Sequence, residues 1–148
     1  MDARLQLALF GRIALGALLG YLIGFEREFR GKIAGERTFA LLSLGAASFV
    51  GMGILLFPIS GDRVVQGVAT GIGLLCAGVI FSRRAGPPHG LTTAAAAWAA
   101  AIVGVLSGAA LYLTAILTTA LTIGILEAEH FSVRRRRNHV VPPAPPVV

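Results

Sequence analysis

Charged residues and cysteine are both scarce in this chain, and the scarcity of charge argues against an ordinary water-soluble domain. Only 14% of its 148 residues are charged, whereas 55% are hydrophobic; soluble domains are about 25% charged. The single cysteine, Cys76, cannot form an internal disulfide and lies within an apolar run. The sequence therefore predicts an integral membrane protein.

Long apolar runs predict an all-α, polytopic transmembrane bundle of about five helices. A spanning helix needs about 20 apolar residues, because hydrocarbon cannot satisfy free backbone groups. Three such runs cover residues 5–25, 38–57 and 64–82. The uncharged run 91–126 is long enough for two helices, which we divide near residues 107–113. No small-residue cleavage site follows the first run, so we interpret it as a retained helix rather than a signal peptide.

The distribution of arginine and lysine predicts the orientation of the helices. With five helices, most basic residues fall on one side of the membrane, in the first loop, in the loop at 83–90 and in the C-terminal segment. Basic residues concentrate in cytoplasmic loops. We therefore expect the N-terminus outside and the C-terminus in the cytoplasm.

Small residues recur every four positions in two of the predicted helices. Helix 1 carries Gly16, Gly20 and Gly24, and helix 4 carries Ala96, Ala100, Gly104 and Gly108. Such stripes allow close van der Waals contact between helices in a bilayer. They predict packing inside the bundle, with contact between copies as the alternative.

The stretch GFEREFRGKIAGERTF, residues 24–39, concentrates charge between two apolar runs. Pairs four residues apart, Glu26–Arg30 and Glu28–Lys32, predict an extension of helix 1 that ends at Gly31. No metal site is predicted, because Glu26 and Glu28 would lie about 200° apart around the helix. Spacing alone leaves two interpretations open: a solvated helix extension with a turn, or a recognition surface at the membrane boundary.

Arg12 is the one charged residue within the first predicted span. An unpaired arginine in a bilayer is energetically costly. Three interpretations remain open: its long side chain reaches the outer interface, it pairs with Asp62, or it faces a substrate pathway.

Motifs of catalysis are absent, since the chain has no G-x-S-x-G, H-E-x-x-H or P-loop. We therefore expect no enzyme, no cofactor and no nucleic-acid partner. Residues 1–131 form the predicted membrane domain, and 132–148 a disordered, proline-rich cytoplasmic tail. The tail begins with a basic block expected to contact anionic lipid headgroups: Arg134, Arg135, Arg136 and Arg137.

Three segments in this order resemble the membrane domain of the MgtC/SapB family: LIGFEREFRGKIAGERTFALLSLGA, GIGLLCAGVIF and GLTTAAAAW. The resemblance implies a bacterial inner-membrane protein linked to magnesium limitation and to survival inside host cells. It also implies regulation of other membrane complexes, with ATP synthase among the proposed targets. The family motifs fall on Glu26, Arg27, Gly35, Arg37 and Thr38, and on Gly90, Leu91, Thr92 and Thr93.

Two departures from the family pattern stand out. Glu36 occupies a position where the family usually has an apolar residue, most often leucine. Longer relatives carry a C-terminal soluble domain, which we expect this chain to lack. We expect a partner in the membrane, either another protein or a second copy. The residues leave two alternative functions open: a transporter of Mg²⁺ or another ion, and a membrane scaffolding subunit.

Overall fold

The computed structural model describes residues 2–81 and 90–137, with side chains described as far as residue 128. These residues form five α-helices and no strand. The helices are α1 (Ala3–Phe29), α2 (Glu36–Leu56), α3 (Gly61–Phe81), α4 (Leu91–Gly108) and α5 (Tyr112–Arg137).

Helix length and composition confirm the predicted all-α, polytopic architecture. Within the described chain, α1 to α4 are each long and apolar enough to cross a membrane. The apolar part of α5, Tyr112–Ala128, is shorter. The helix nevertheless continues to Arg137, into the segment 132–148 that we predicted to be a disordered tail. The proline-rich segment and the side chains of the four terminal arginines lie outside the described residues.

The turns that follow α1 and α4 have the same pattern of backbone hydrogen bonds. After α1, Gly31 has a φ of 64°, and the N–H groups of Gly31 and Lys32 bond the carbonyls of Glu28 and Arg27 at 2.9 and 3.0 Å. These two bonds satisfy carbonyls that the helix leaves free. The same pattern follows α4, so the division of the long apolar run near residues 107–113 is confirmed.

The glycines of α1 and α4 lie in tight seams against α2. A Cβ added at Gly16 would lie 3.0 Å from the Cβ of Ala47, and one at Gly20 would lie 2.6 Å from the carbonyl oxygen of Phe39. Gly24 approaches the backbone at the start of α2 with similar closeness, and Gly104 and Gly108 approach its backbone from the side of α4. These stripes are therefore used inside the bundle, and they no longer favour a scaffolding subunit.

Helix α4 packs against all four of the others. Its alanines form much of the core, and Ala100 is completely buried. A helix at the centre of a bundle needs small residues on several faces, because each neighbour approaches closely. The low content of large side chains in the run 91–108 therefore follows from its central position.

Helix α3 is held more loosely than the other three long apolar helices. Only Ile72 and Cys76 are buried, and its glycines at 67, 71, 73 and 78 have no atom within 4 Å of an added Cβ. Close contact with α2 is made at one end, where a Cβ at Gly53 would lie 2.8 Å from Val64 Cγ2.

Candidate functional site

A buried ion pair lies at the C-terminal end of α1, within the charged hairpin, the segment 26–37 that joins α1 to α2. Only 8% of Glu26 and 1% of Arg27 is exposed. Arg27 donates to the Glu26 carboxylate through Nε and also through Nη2, at 2.8 Å. Its Nη1 is buried and has no hydrogen-bond partner among the described residues. The predicted helix extension and its turn at Gly31 are present, but the prediction that the extension is solvated is wrong for Glu26 and Arg27.

The inward stripe of α1 explains this burial. Leu19 and Ile23 are buried, and Arg27 follows at the next four-residue interval, so all three share one face of the helix. This spacing was visible in the sequence. We missed it because the charge of residues 26 and 27 suggested solvent.

Arg30 connects the ion pair to α5. Its Nε lies 3.6 Å from Glu26 Oε1, which confirms the predicted Glu26–Arg30 pair. Its Nη2 donates to Oε2 of Glu127, and this hydrogen bond raises the pKa of Arg30 above its ordinary value. The guanidinium thus remains charged, and it links the end of α1 to α5.

Glu28 stabilises the start of α2 rather than pairing with Lys32. Its Oε2 accepts the backbone N–H of Glu36 at 3.1 Å, and a carboxylate is favourable at a helix N-terminus. A Cβ at Gly35 would lie 3.0 Å from the Glu28 carboxyl carbon, so the glycine makes room for this contact. The predicted Glu28–Lys32 pair is not formed in the described part of the chain.

The unusual Glu36 has a long-range partner. The hydroxyl of Tyr21 in α1 lies close to its carboxylate. Tyr21 begins a row of stacked rings with Phe25 and Phe29, whose successive centroids lie 6.4 and 6.5 Å apart. No spacing rule in the sequence connects Tyr21 to Glu36, because their contact depends on how α1 packs against α2.

The exposed charged side chains of the charged hairpin are Glu28, Lys32 and Arg37, so its exposed part has a net positive charge. Lys32, Arg37 and Thr38 are exposed, and no ion pair to Lys32 or Arg37 occurs among residues 2–81 and 90–128. The two cations therefore remain available to a ligand or a partner. Glu26 and Glu28, in contrast, already have partners within the protein.

The second predicted motif forms the N-terminus of α4. Gly90 has a φ of 78°, and its carbonyl accepts the N–H of Ala94 at 2.8 Å. Thr92 is exposed, and Thr93 is buried. Val79 of α3 lies 3.2 Å from an added Cβ at Gly90 and shares a cavity with Ile33 of the charged hairpin. The two motifs therefore lie at the same end of the bundle.

Arg12 lies far from this end, about 22 Å along α1 from Arg27 at the usual rise per residue. It is half-buried, and its Nε is buried without a hydrogen-bond partner in the described structure. No ion pair joins it to Asp62 within the described residues, so that predicted pairing is not formed. The described residues also contain no cluster of three or more potential metal ligands.

An all-helical bundle with several apolar spans and a charged cluster at one end defines a multi-pass membrane protein. The model of the MgtC family matches residues 13–134, and the chain belongs to this family. The resemblance identified from the motifs is thereby confirmed.

Relatives in three bacteria show the extent of the similarity. The chain is 46% identical over 112 residues to Protein MgtC of Brucella abortus, covering 73% of this chain and 45% of the relative. It is 43% identical over 102 residues to Protein MgtC of Salmonella typhimurium, covering 69% and 44%. It is 39% identical over 136 residues to Protein SrpB of Synechococcus elongatus, covering 79% and 72%.

The chain spans about half the length of the curated MgtC relatives that it matches. No solved structure matches it.

Proposed function

We propose that this protein is a bacterial inner-membrane regulator that acts on another membrane complex during magnesium limitation or intracellular survival. ATP synthase is the candidate target, and no catalysis is involved. The observation that carries the proposal is the charged hairpin: a buried ion pair fixes its base, and an exposed basic surface of Lys32 and Arg37 faces outward.

The link between Arg30 and Glu127 supports this proposal. It ties the base of the charged hairpin to α5 and limits its freedom to rearrange. A surface whose shape is fixed in advance loses less entropy when it binds a partner. Glu26 is buried in its ion pair, and Lys32 and Arg37 outnumber the one exposed carboxylate, Glu28, so the exposed surface has a net positive charge that suits an acidic surface on the partner.

The test measures ATP-driven proton pumping in inverted membrane vesicles that contain ATP synthase, with and without this protein. We expect the wild-type protein to reduce proton pumping, measured as the quenching of a pH-sensitive fluorescent dye. With Arg37→Gln, about five times more protein is expected to give the same reduction, from the loss of one interfacial charge. Arg63→Gln is the control, because Arg63 is also exposed but lies at the opposite end of the bundle.

Growth in low-magnesium medium provides a second readout for the same variants. Wild type and Arg63→Gln should support growth, and Arg37→Gln should not. The proposal is contradicted if neither proton pumping nor growth changes when the protein is removed. Glu26→Ala is a poor test, since it leaves Arg27 buried without its counter-charge at a cost of roughly 3–5 kcal/mol.

Arg12 favours a second candidate function, the transport of Mg²⁺ or another ion. A half-buried arginine in a span, with its Nε unpartnered among the described residues, is a feature of ion pathways. Liposomes loaded with a magnesium-sensitive dye test it. Saturable flux that is lost in Arg12→Gln but kept in Arg63→Gln identifies a carrier. If the flux equals that of empty liposomes, the protein does not transport Mg²⁺.

A further inference from the structure

An apolar cleft of about 530 Å³ separates α2 from α3. Its walls include Leu41, Gly45 and Phe49 of α2 and Gly67, Gly71 and Leu75 of α3, and every lining residue is apolar. The contact between Gly53 and Val64 brings the two helices together at the end away from the charged hairpin. The cleft lies on the charged-hairpin side of this contact and opens to the lipid.

The cleft runs through the middle of both helices, and its length is close to the thickness of one leaflet. It extends from residue 41 to 49 along α2 and from 64 to 75 along α3, or about 12 to 16 Å at the rise of a helix. Half of the hydrocarbon core is about 15 Å thick. A second cavity, of about 440 Å³, shares Leu75 and continues along α3 to Gly78 and Ile33 of the charged hairpin.

Three glycines give the cleft its width. Gly45, Gly67 and Gly71 each have no atom within 4 Å of an added Cβ. The space beside the seam glycines of α1 and α4, in contrast, is filled by neighbouring helices. In a bilayer the space beside these three is filled by an apolar chain, since hydrocarbon surrounds the bundle at this depth.

Unpaired cations lie beyond the end of the cleft that is nearer the charged hairpin. Arg37, Leu41, Gly45 and Phe49 recur at four-residue intervals, so Arg37 continues the cleft-facing side of α2 toward the headgroups. Arg37 is exposed and forms no ion pair with any described residue. Lys32, adjacent to Ile33 in sequence, has the same properties.

We propose that this cleft binds one anionic phospholipid from the leaflet on the side of the charged hairpin. One acyl chain occupies the space beside Gly45, Gly67 and Gly71. The phosphate contacts Arg37, and Lys32 adds to the attraction. Apolar walls of about one-leaflet length, with cations beyond the end nearer the charged hairpin, match the two chemistries of such a lipid. This inference goes beyond the proposed regulatory function.

The experiment is native mass spectrometry of the purified full chain in detergent. Phosphatidylglycerol is compared with phosphatidylcholine of the same acyl chains. We expect the wild type to retain one phosphatidylglycerol and to bind it about five times more tightly than phosphatidylcholine, from the charge on Arg37. Arg37→Gln should remove that preference and leave weak binding of both lipids.

Filling the cleft provides the decisive comparison. Gly71→Leu should abolish binding of both lipids, and Gly67→Leu gives a second variant in case the first does not fold. Gly73→Leu is the matched control, because Gly73 is also in open space on α3 but does not line the cleft. It should bind lipid like the wild type.

Three results would overturn the proposal. One is unchanged lipid binding when both Gly67 and Gly71 are replaced by leucine. Another is equal affinity of the wild type for the two lipids. The third is a shift from dimer to monomer in Gly71→Leu, which would make the cleft an interface between copies. No partner complex is present in this assay, so its failure would leave the proposed regulatory function standing.

Discussion

At the turn between α4 and α5, Ala110 adopts the left-handed conformation that glycine usually occupies. Its φ is 62°, and its N–H bonds the carbonyl of Ser107 at 3.0 Å. In the equivalent turn after α1 the position is filled by Gly31, with a φ of 64°. A Cβ in this region crowds the backbone at a cost of about 1–2 kcal/mol. The two turns thus have the same geometry with different residues.

We predict that Ala110→Gly stabilises the protein by about 0.5–1 kcal/mol. The substitution removes the Cβ strain, and the greater freedom of glycine in the unfolded chain offsets part of that gain. The measurement is the free energy of unfolding of the purified protein in detergent.

The reciprocal substitution, Gly31→Ala, is the control. An added Cβ at Gly31 has no atom within 4 Å, so backbone conformation alone should cost about 1 kcal/mol. Stabilisation by Gly31→Ala, or destabilisation by Ala110→Gly, would contradict this account.

At the scale of elements, α2 is held by glycine seams on two sides. Gly20 of α1 and Gly104 of α4 both approach the backbone of α2 so closely that an added Cβ cannot fit without movement. Ser43 lies in the same seams and is completely buried. Small side chains at these positions bring helix backbones together, which is the main source of association energy in a bilayer.

Gly20→Ala is expected to destabilise the bundle by about 1–3 kcal/mol, because the new methyl group overpacks a tight contact. The nearest atoms include the backbone oxygen of Phe39 at 2.6 Å, which no side-chain rotation can relieve. The change is measured as the unfolding free energy in detergent.

Gly45→Ala is the matched control on α2. Its added Cβ enters open space, so it should be neutral or should stabilise the helix by up to about 1 kcal/mol. An equal loss of stability in both variants would show that the seam has no special role.

For the whole molecule, the link between Arg30 and Glu127 has a topological consequence. It places the C-terminal end of α1 beside the second half of α5. This arrangement is expected when α1 and α5 run in the same direction. It supports the prediction of five crossings. The distribution of basic residues then predicts which end faces the cytoplasm.

We predict that Lys32 is cytoplasmic and that Arg63 is on the outer side. In a Cys76→Ala background, Lys32→Cys and Arg63→Cys provide single reactive sites at opposite ends of the bundle. A membrane-impermeant maleimide added to intact spheroplasts should label Arg63→Cys nearly completely and Lys32→Cys only after permeabilisation. The reverse pattern would contradict the orientation, and labelling of both from one side would contradict the antiparallel arrangement.

Local sequence features determined the helices of this protein and their ends. Apolar runs, Gly31 and the small residues near 107–113 act within a few residues, because the bilayer forces each apolar run to satisfy its own backbone. Four-residue spacing also identified which faces of α1 and α4 carry small residues. It did not identify the neighbour that each face contacts, since many pairings satisfy the same stripe.

Only the tertiary structure decided the burial and pairing of the charged residues. Arg27 is buried, Arg30 reaches Glu127, Tyr21 lies close to Glu36, and Gly71 borders an open cleft instead of a seam. Each of these depends on residues far apart in the chain or on the choice of one helix face over another. That choice is made by the packing of the whole bundle, because a side chain is buried or open only in relation to the helix that lies against it.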